Sequence, residues 1–421
     1  MTTKDSTLII GGGIVGATLA LKLAQARHPV TLIDARPKLS QADWADKLTQ
    51  RDARVYALSL ASIGLLKDVG AWQRLLQNGR KADYTQMQVW QTNGVGELNF
   101  GGWDKAQANP PLLGSMVEPF IIEKSLYDGF EDDSLTEYGK SYLTHIAGQK
   151  VTHIEWLGDN DGYRITLDNG DTHTAKLLIG ADGRGSMVRK AVGIRLDTLD
   201  YHQTAICCAI QTELPHNATA RQVFLPTGPL ALLPLADVTD SDKALPEHWQ
   251  SVVWTLPTNS ALDLLTLSPN ALAKALAFAS GYALGDISAI ESIASFPLNA
   301  QHAKSYVKPN LALIGDAAHG VHPLAGQGLN LGMLDVIALA DILQKDWQRS
   351  GSKLWAGYAT LQRYERARYA NNAMMMHSFS GINWLFGNQF RPIQQLRSEG
   401  VSAVSKIKPL MRFFSQKASG V

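Results

Sequence analysis

A chain of 421 residues is too long for one ordinary core, so two or three domains are expected. Its 45% apolar and 18% charged residues suit a water-soluble folded protein, and a net charge of +1 gives no electrostatic case for binding nucleic acid. Cys207 and Cys208 are adjacent, which suits neither a relaxed disulfide nor a zinc site; they read as small buried strand residues in a reducing compartment.

Met1 to Thr7 is polar and too short for a signal peptide. No apolar run reaches the ~18–20 residues that cross a bilayer. A cytoplasmic protein is expected, either free or attached peripherally at the inner membrane.

Leu8–Ile10 and Val30–Ile33 read as buried parallel strands, with a helix over Ala17–Ala26 between them. Their link, Gly11-Gly12-Gly13-Ile14-Val15-Gly16, is Gly-x-Gly-x-x-Gly placed after a strand and before a helix. Gly11 permits a tight turn, Gly13 lets the backbone approach a pyrophosphate, and Gly16 lets the helix pack closely on the strand. The unpaired N–H groups of the helix amino terminus would then face the phosphates. A glycine-rich turn of any α/β protein is the plainer reading. Asp34, ending the second strand, narrows it, because a carboxylate there can accept both hydroxyls of a ribose.

Further along, Ala57–Val69 reads as a helix stopped by Gly70, Met87 to Phe100 as β-like, and Ile121–Phe130 as helical. Val151–Leu157 and Tyr163–Leu167 suit a hairpin or meander with a turn at Asp168–Asp171. Lys176–Ile179 is a short strand ending in Gly180-Ala181-Asp182-Gly183. Strands follow at Ala205–Ile210, Leu230–Leu235 and Ser251–Leu256, with a polar surface loop at Asp237–His248. Leu311–Ile314 is another buried strand, running into Gly315-Asp316-Ala317-Ala318-His319. A long helix should run from near Leu329 through Leu343, and the chain from Trp347 onward reads as mostly helical. Nucleotide-type elements therefore lie at the front, near 180 and near 315. A nucleotide domain interrupted by a β-rich domain explains that order.

Three motifs in sequence are more specific than any one: Gly11-x-Gly13-x-x-Gly16, Gly180-Ala181-Asp182-Gly183-x-x-Ser186-x-Val188-Arg189, and Gly315-Asp316-Ala317-Ala318-His319-x-x-His322-Pro323. In this order they resemble the class A flavoprotein monooxygenases of the p-hydroxybenzoate hydroxylase fold. Within that group the chain is similar to the ubiquinone-biosynthesis hydroxylases. The closer likeness rests on Arg54–Ser59, Gly228–Leu235, Ser251–Trp254, Phe296–Leu298, His322–Gly332 and Arg363-Tyr364-x-x-Ala367-Arg368, and covers nearly the whole chain. One departure is Pro119 after Glu118, where relatives usually read Val-Glu-Asn. Proline removes a backbone donor and a side-chain amide.

The resemblance implies an α/β fold: a Rossmann-like FAD-binding domain (1–75, 105–190 and 300–345), an inserted β-rich substrate domain (76–104 and 191–299), and a C-terminal helical region (346–421). It implies FAD as cofactor and NAD(P)H as reductant. Asp316 would accept hydrogen bonds from the ribityl hydroxyls of FAD, and Arg54 would fork onto its pyrophosphate. Asp182 would lie in a loop touching FAD and the nicotinamide path, or simply serve a structural turn. Gly326, Gly328, Leu329 and Asn330 would place backbone N–H groups at the flavin's pyrimidine edge, where the following helix points its positive end. Pro323 would line the substrate side of the ring. With Gly328 it would position flavin and substrate, and no general base is assigned. Asp34 and Arg36 would face the adenosine of FAD.

The implied reaction is hydroxylation of the aromatic ring of a ubiquinone precursor, a prenylated phenol, with O2 through a flavin C4a-hydroperoxide. Alternatives are a hydroxylase of another small aromatic and a non-catalytic flavoprotein in a quinone-biosynthesis assembly. Phe224, Leu230, Leu232 and Trp254 are candidate walls of an apolar channel, or ordinary strand core. His319 and His322 lack a third ligand of matching spacing, so no metal is expected. The basic, amphipathic stretch 391–421 suits a membrane surface, a partner from the same pathway, or packing on the protein's own body.

Overall fold

The computed structural model describes residues 6–77, 80–92, 97–101, 111–137, 140–238, 247–321, 327–350 and 355–387. Its first layer is a six-stranded sheet ordered Leu143–Ala147, Val30–Asp34, Thr7–Ile10, Leu177–Gly180, Leu311–Leu313 and Val307–Lys308. The first five strands run parallel, and only the last pair is antiparallel. Their carboxyl ends bring Gly11, Asp34, Ala181 and the Gly315 turn to one edge, where open α/β sheets bind ligands. Strands buried on both faces read as continuous apolar runs, which is why Leu8–Ile10 and Leu177–Ile179 were legible. The helix Ile14–Gln25 packs on this sheet, the helix Gln327–Ser350 packs against that helix and the Gly315 turn, and both share the sheet's core.

The second layer is an eight-stranded sheet ordered His319–Gly320, Ile287–Ala303, Leu196–Thr212, Trp249–Pro257, Gly228–Pro234, Thr219–Leu225, Gln86–Gln91 and Glu97–Gly101. Its one parallel pair joins Thr219–Leu225 to Gln86–Gln91, so two strands from residues 86–101 complete a sheet otherwise built from residues 196–320. One face of this sheet carries the helices Thr258–Leu265 and Pro269–Ala279 over a dedicated apolar cluster. The other face looks toward the cofactor-type sheet.

Two expectations shift. The helix expected from Ala57 starts at Leu60, because Tyr56–Leu58 pairs with Ser115–Val117 and Ser59 caps the helix by accepting from the Ser62 N–H. The helix expected from Ile121 begins at Pro119, whose missing N–H is one the first turn would leave unpaired anyway, and turns 3-10 at Asp128. Part of the polar loop (239–246), Pro323, Gly326, His322 and the segment 391–421 lie outside the described residues. Among the described residues no helix is long and apolar enough to cross a membrane.

Candidate active site

The glycine loop is shaped by contact as much as by turn. Gly11 has φ +108°, and a Cβ there would sit 2.3 Å from the carbonyl oxygen of Ala181. A Cβ on Gly16 would sit 2.0 Å from the carbonyl oxygen of Gly11, so helix and loop touch only because neither carries a side chain. Gly13 differs: its Cβ would meet nothing, and it borders open space. It is also the amino-terminal cap of helix Ile14–Gln25, and no side chain caps it. This is an open cradle of N–H donors at a positive helix end, the arrangement that accepts phosphate.

That cradle opens into a cavity of about 660 Å³, within the roughly 300–1,000 Å³ of small-molecule sites. Arg54, Pro119, Ala181, Arg184, Asp316, Gly328 and Leu329 border it from the first layer. The second sheet supplies the floor, through Ala205, Cys207, Gln222, Ala231, Val253, Thr255 and Phe296 among others. One chamber is therefore walled on one side by nucleotide-type elements and on the other by a largely apolar sheet.

The floor corrects the channel walls. Side chains alternate along a strand, and Ala231 and Val253 face the cavity. Leu230, Leu232 and Trp254 therefore point the other way, into the cluster beneath the two helices. Phe224 lies on the cavity side but packs against Val89 outside the chamber. The strand Gly228–Pro234 is apolar on both faces, so hydrophobicity alone carried no parity signal there.

Asp316 sits in a 3-10 turn, Gly315–Ala317. Its side chain borders the chamber and is 47% accessible. Burial raises its pKa above the usual carboxylate range, against the pull of Arg184, whose Nε is 3.9 Å away. Among the described residues no donor is bonded to this carboxylate, and the buried Nε of Arg184 is also without a hydrogen-bond partner. Gln301 and Arg189 bond the carbonyls of Asp316 and Ala317, at 2.8 and 2.7 Å, and hold the turn. A charged acceptor, an unpaired guanidinium nitrogen and an N–H cradle on one wall match the polyol and phosphates of FAD.

The guanidinium of Arg54 stacks 4.8 Å from the Phe296 ring at the chamber edge. Its segment is fixed from behind. Buried Arg80 forks onto Glu118 at 2.8 and 2.9 Å and reaches the carbonyls of Leu48 and Gln50. Glu118 accepts in turn from the Asp52 N–H, at 2.8 Å. Arg80→Leu would leave that carboxylate buried and unpaired, and should cost about 3–5 kcal/mol. Denaturant unfolding of the variant checks this.

Other expected residues fall less simply. Asp34 lies beside Gly12, outside the cavity lining, and accepts from the Arg36 backbone N–H at 2.8 Å and its guanidinium at 2.9 Å. Burial raises its pKa, but Arg36 outweighs this and holds it below the usual range. The Asp182 carboxylate accepts from the Ser186 hydroxyl and the Met187 and Val188 N–H groups, at 2.6, 2.6 and 3.1 Å. It caps a short helix, while its neighbours Ala181 and Gly183 border the cavity. The Asn330 side chain is buried, donating to the Ala57 carbonyl and accepting from the Ser59 N–H and the Ser62 hydroxyl, at 2.8, 3.0 and 2.7 Å. This pins the first turn of helix Gln327–Ser350, where an α-helix leaves N–H groups unpaired.

Sequence reasoning missed Asp335. Fully buried, it accepts from the Gly315 N–H (3.0 Å), His319 Nε2 (2.5 Å), Arg368 Nε (2.8 Å) and Asn372 Nδ2 (3.2 Å). His319 is thus committed to a carboxylate. The available signal was one acid amid Leu331, Met333, Val336 and Leu339 on an apolar helix. The two thiols are free, with Cys207 toward the cavity and Cys208 under the helices, and burial pushes both to about 12.

Known proteins share the family and the fold. The FAD binding domain family matches residues 4–377. The chain is 34% identical to the 3-demethoxyubiquinol 3-hydroxylase of Escherichia coli K12, covering 100% of both. It is 35% identical to the ubiquinone hydroxylase UbiL of Rhodospirillum rubrum, over 98% of this chain and 89% of that one. The p-nitrophenol 4-monooxygenase PnpA of Pseudomonas putida shares the fold, with a TM-score of 0.72 at 17% identity over 99% and 98% of the two chains. The chain belongs to the FAD-binding family of flavin-dependent hydroxylases.

Proposed function

We propose that this enzyme hydroxylates the aromatic ring of a ubiquinone precursor, a prenylated phenol, with electrons from NAD(P)H and one oxygen atom from O2. The observation that carries the reading is the single chamber with a phosphate cradle and Asp316 on one wall and an apolar sheet as its floor. The names of the relatives support the substrate class. FAD, when bound, supplies the two-electron reduction and the activation of oxygen.

The chain's own residues bind, orient and exclude water. Gly11, Gly13 and Gly16 shape the seat of the pyrophosphate, with Arg54 as its counter-charge. Asp34 would take the ribose hydroxyls once the half-exposed Arg36 swings aside, and the Asp182 loop would border the cofactor through its backbone. Asp316 would accept from the ribityl chain. Gly326, Gly328, Leu329 and Asn330 would present N–H groups and a positive helix end to negative charge on the reduced ring. Pro323 would complete the substrate side. On this reading 1–75, 105–190 and 300–345 hold the cofactor, while 76–104 and 191–299 hold the substrate.

In a strain lacking the gene, ubiquinone should fall and a prenylated precursor short of one hydroxyl should accumulate. An unchanged quinone pool with no precursor would overturn the substrate assignment. The basic stretch 391–421 is the candidate surface for the membrane or for pathway partners. Co-sedimentation with anionic but not neutral vesicles, lost on truncation at 390, would support the membrane over the partner.

A further inference from the structure

We propose that the side-chain amide of Gln222 recognises the phenolic hydroxyl of the substrate and so sets how the ring lies on the sheet floor. This rests on the prenylated-phenol reading above. Gln222 lies on the strand Thr219–Leu225, and the register places it in a row across the sheet: Val89, Gln222, Ala231, Val253, Cys207 and Ala294. All but Gln222 and the thiol are apolar, and the thiol is a weak partner. Gln222 is 7% exposed and borders the cavity. Among the described residues its amide neither donates nor accepts a hydrogen bond.

Buried amides are normally paired, so one left open toward a chamber points to a partner that arrives with the ligand. Its neighbour Arg221, of opposite parity, is already bonded to the carbonyls of His216 and Thr219. An amide donates through Nε2 and accepts through Oε1, matching a hydroxyl, which does both. Ala231, Val253 and Cys207 beside it are small enough to leave room for a ring and an apolar chain. Thr255, in the next row with Ala205 and Phe296, offers a shorter hydroxyl and is the rival anchor.

The test measures binding of 2-prenylphenol and of prenylbenzene, which lacks the hydroxyl, to the FAD-loaded enzyme through the change in flavin absorbance. Wild type should prefer the phenol at least tenfold, since a site built to bond a hydroxyl rejects the analogue without it. In Gln222→Leu, and in the unbranched Gln222→Met, the ratio should fall near one, with prenylbenzene affinity and FAD content unchanged. Thr255→Val should keep most of the preference. A preference retained in both Gln222 variants, or lost only in Thr255→Val, overturns the assignment. Wild type that binds neither compound overturns the prenylated-phenol reading itself.

Discussion

Asp316→Ala should weaken FAD binding about a hundredfold or more while leaving the FAD-free protein as stable as wild type or slightly more so. The two effects have one cause. The carboxylate accepts no hydrogen bond from any described residue, and burial raises its pKa. In the empty chamber its charge is a cost, and the cofactor's hydroxyls relieve it. Two charge-assisted hydrogen bonds at about 1.5–3 kcal/mol each account for the lost affinity. The sign with pH follows. A raised folded-state pKa favours the neutral form, so the FAD-free protein gains from protonation at low pH and loses that gain as pH rises through the folded pKa. FAD, which bonds the charged form, should bind less well as pH falls through the same range. Fluorescence titration of the FAD-free protein at several pH values checks both; pH-independent binding together with a destabilised variant would refute the assignment.

Asp335→Leu should destabilise the protein by about 3–5 kcal/mol, because it strands buried Arg368 and orphans the Gly315 N–H. Burial raises the pKa of Asp335, but His319 and Arg368 outweigh it, and the group stays below the usual carboxylate range. Its contribution is therefore complete above about pH 4, the unfolded value, and is lost as pH falls through the folded pKa. The double variant Asp335→Leu with Arg368→Leu removes both charges and should recover much of the stability. It should not recover FAD affinity, since the turn carrying Asp316 still lacks the anchor on Gly315. Parallel recovery of stability and affinity would show that the carboxylate serves packing alone.

Much of this is legible in the sequence. The parallel strands were continuous apolar runs, and Gly11 and Gly16 occupy positions where a Cβ collides with backbone. The Asp316 turn was legible because an acid followed a buried strand within a recognisable motif. What escaped was long-range or two-faced. Arg80 and Glu118 are 38 residues apart, and no local pattern announces a buried ion pair. The strand Gly228–Pro234 is buried along its whole length, so parity between chamber and helix layer was set only by pairing. Asp34 and Asp182 stood where ligand acceptors stand, yet their carboxylates bond Arg36 and a helix cap. Local hydrogen bonding competes for such side chains whenever donors lie a few residues away.

On the proposed reading, one chamber holds FAD and a phenol together and puts oxygen into the ring. The most direct measurement is turnover of 2-prenylphenol by the FAD-loaded enzyme with NAD(P)H under labelled oxygen gas, followed by mass spectrometry of the product. If that reading is right, the phenol stimulates oxidation of NAD(P)H and the hydroxylated prenylphenol carries one labelled oxygen atom. Oxidation of NAD(P)H that ignores the phenol, or a product whose new oxygen comes from water, would contradict it.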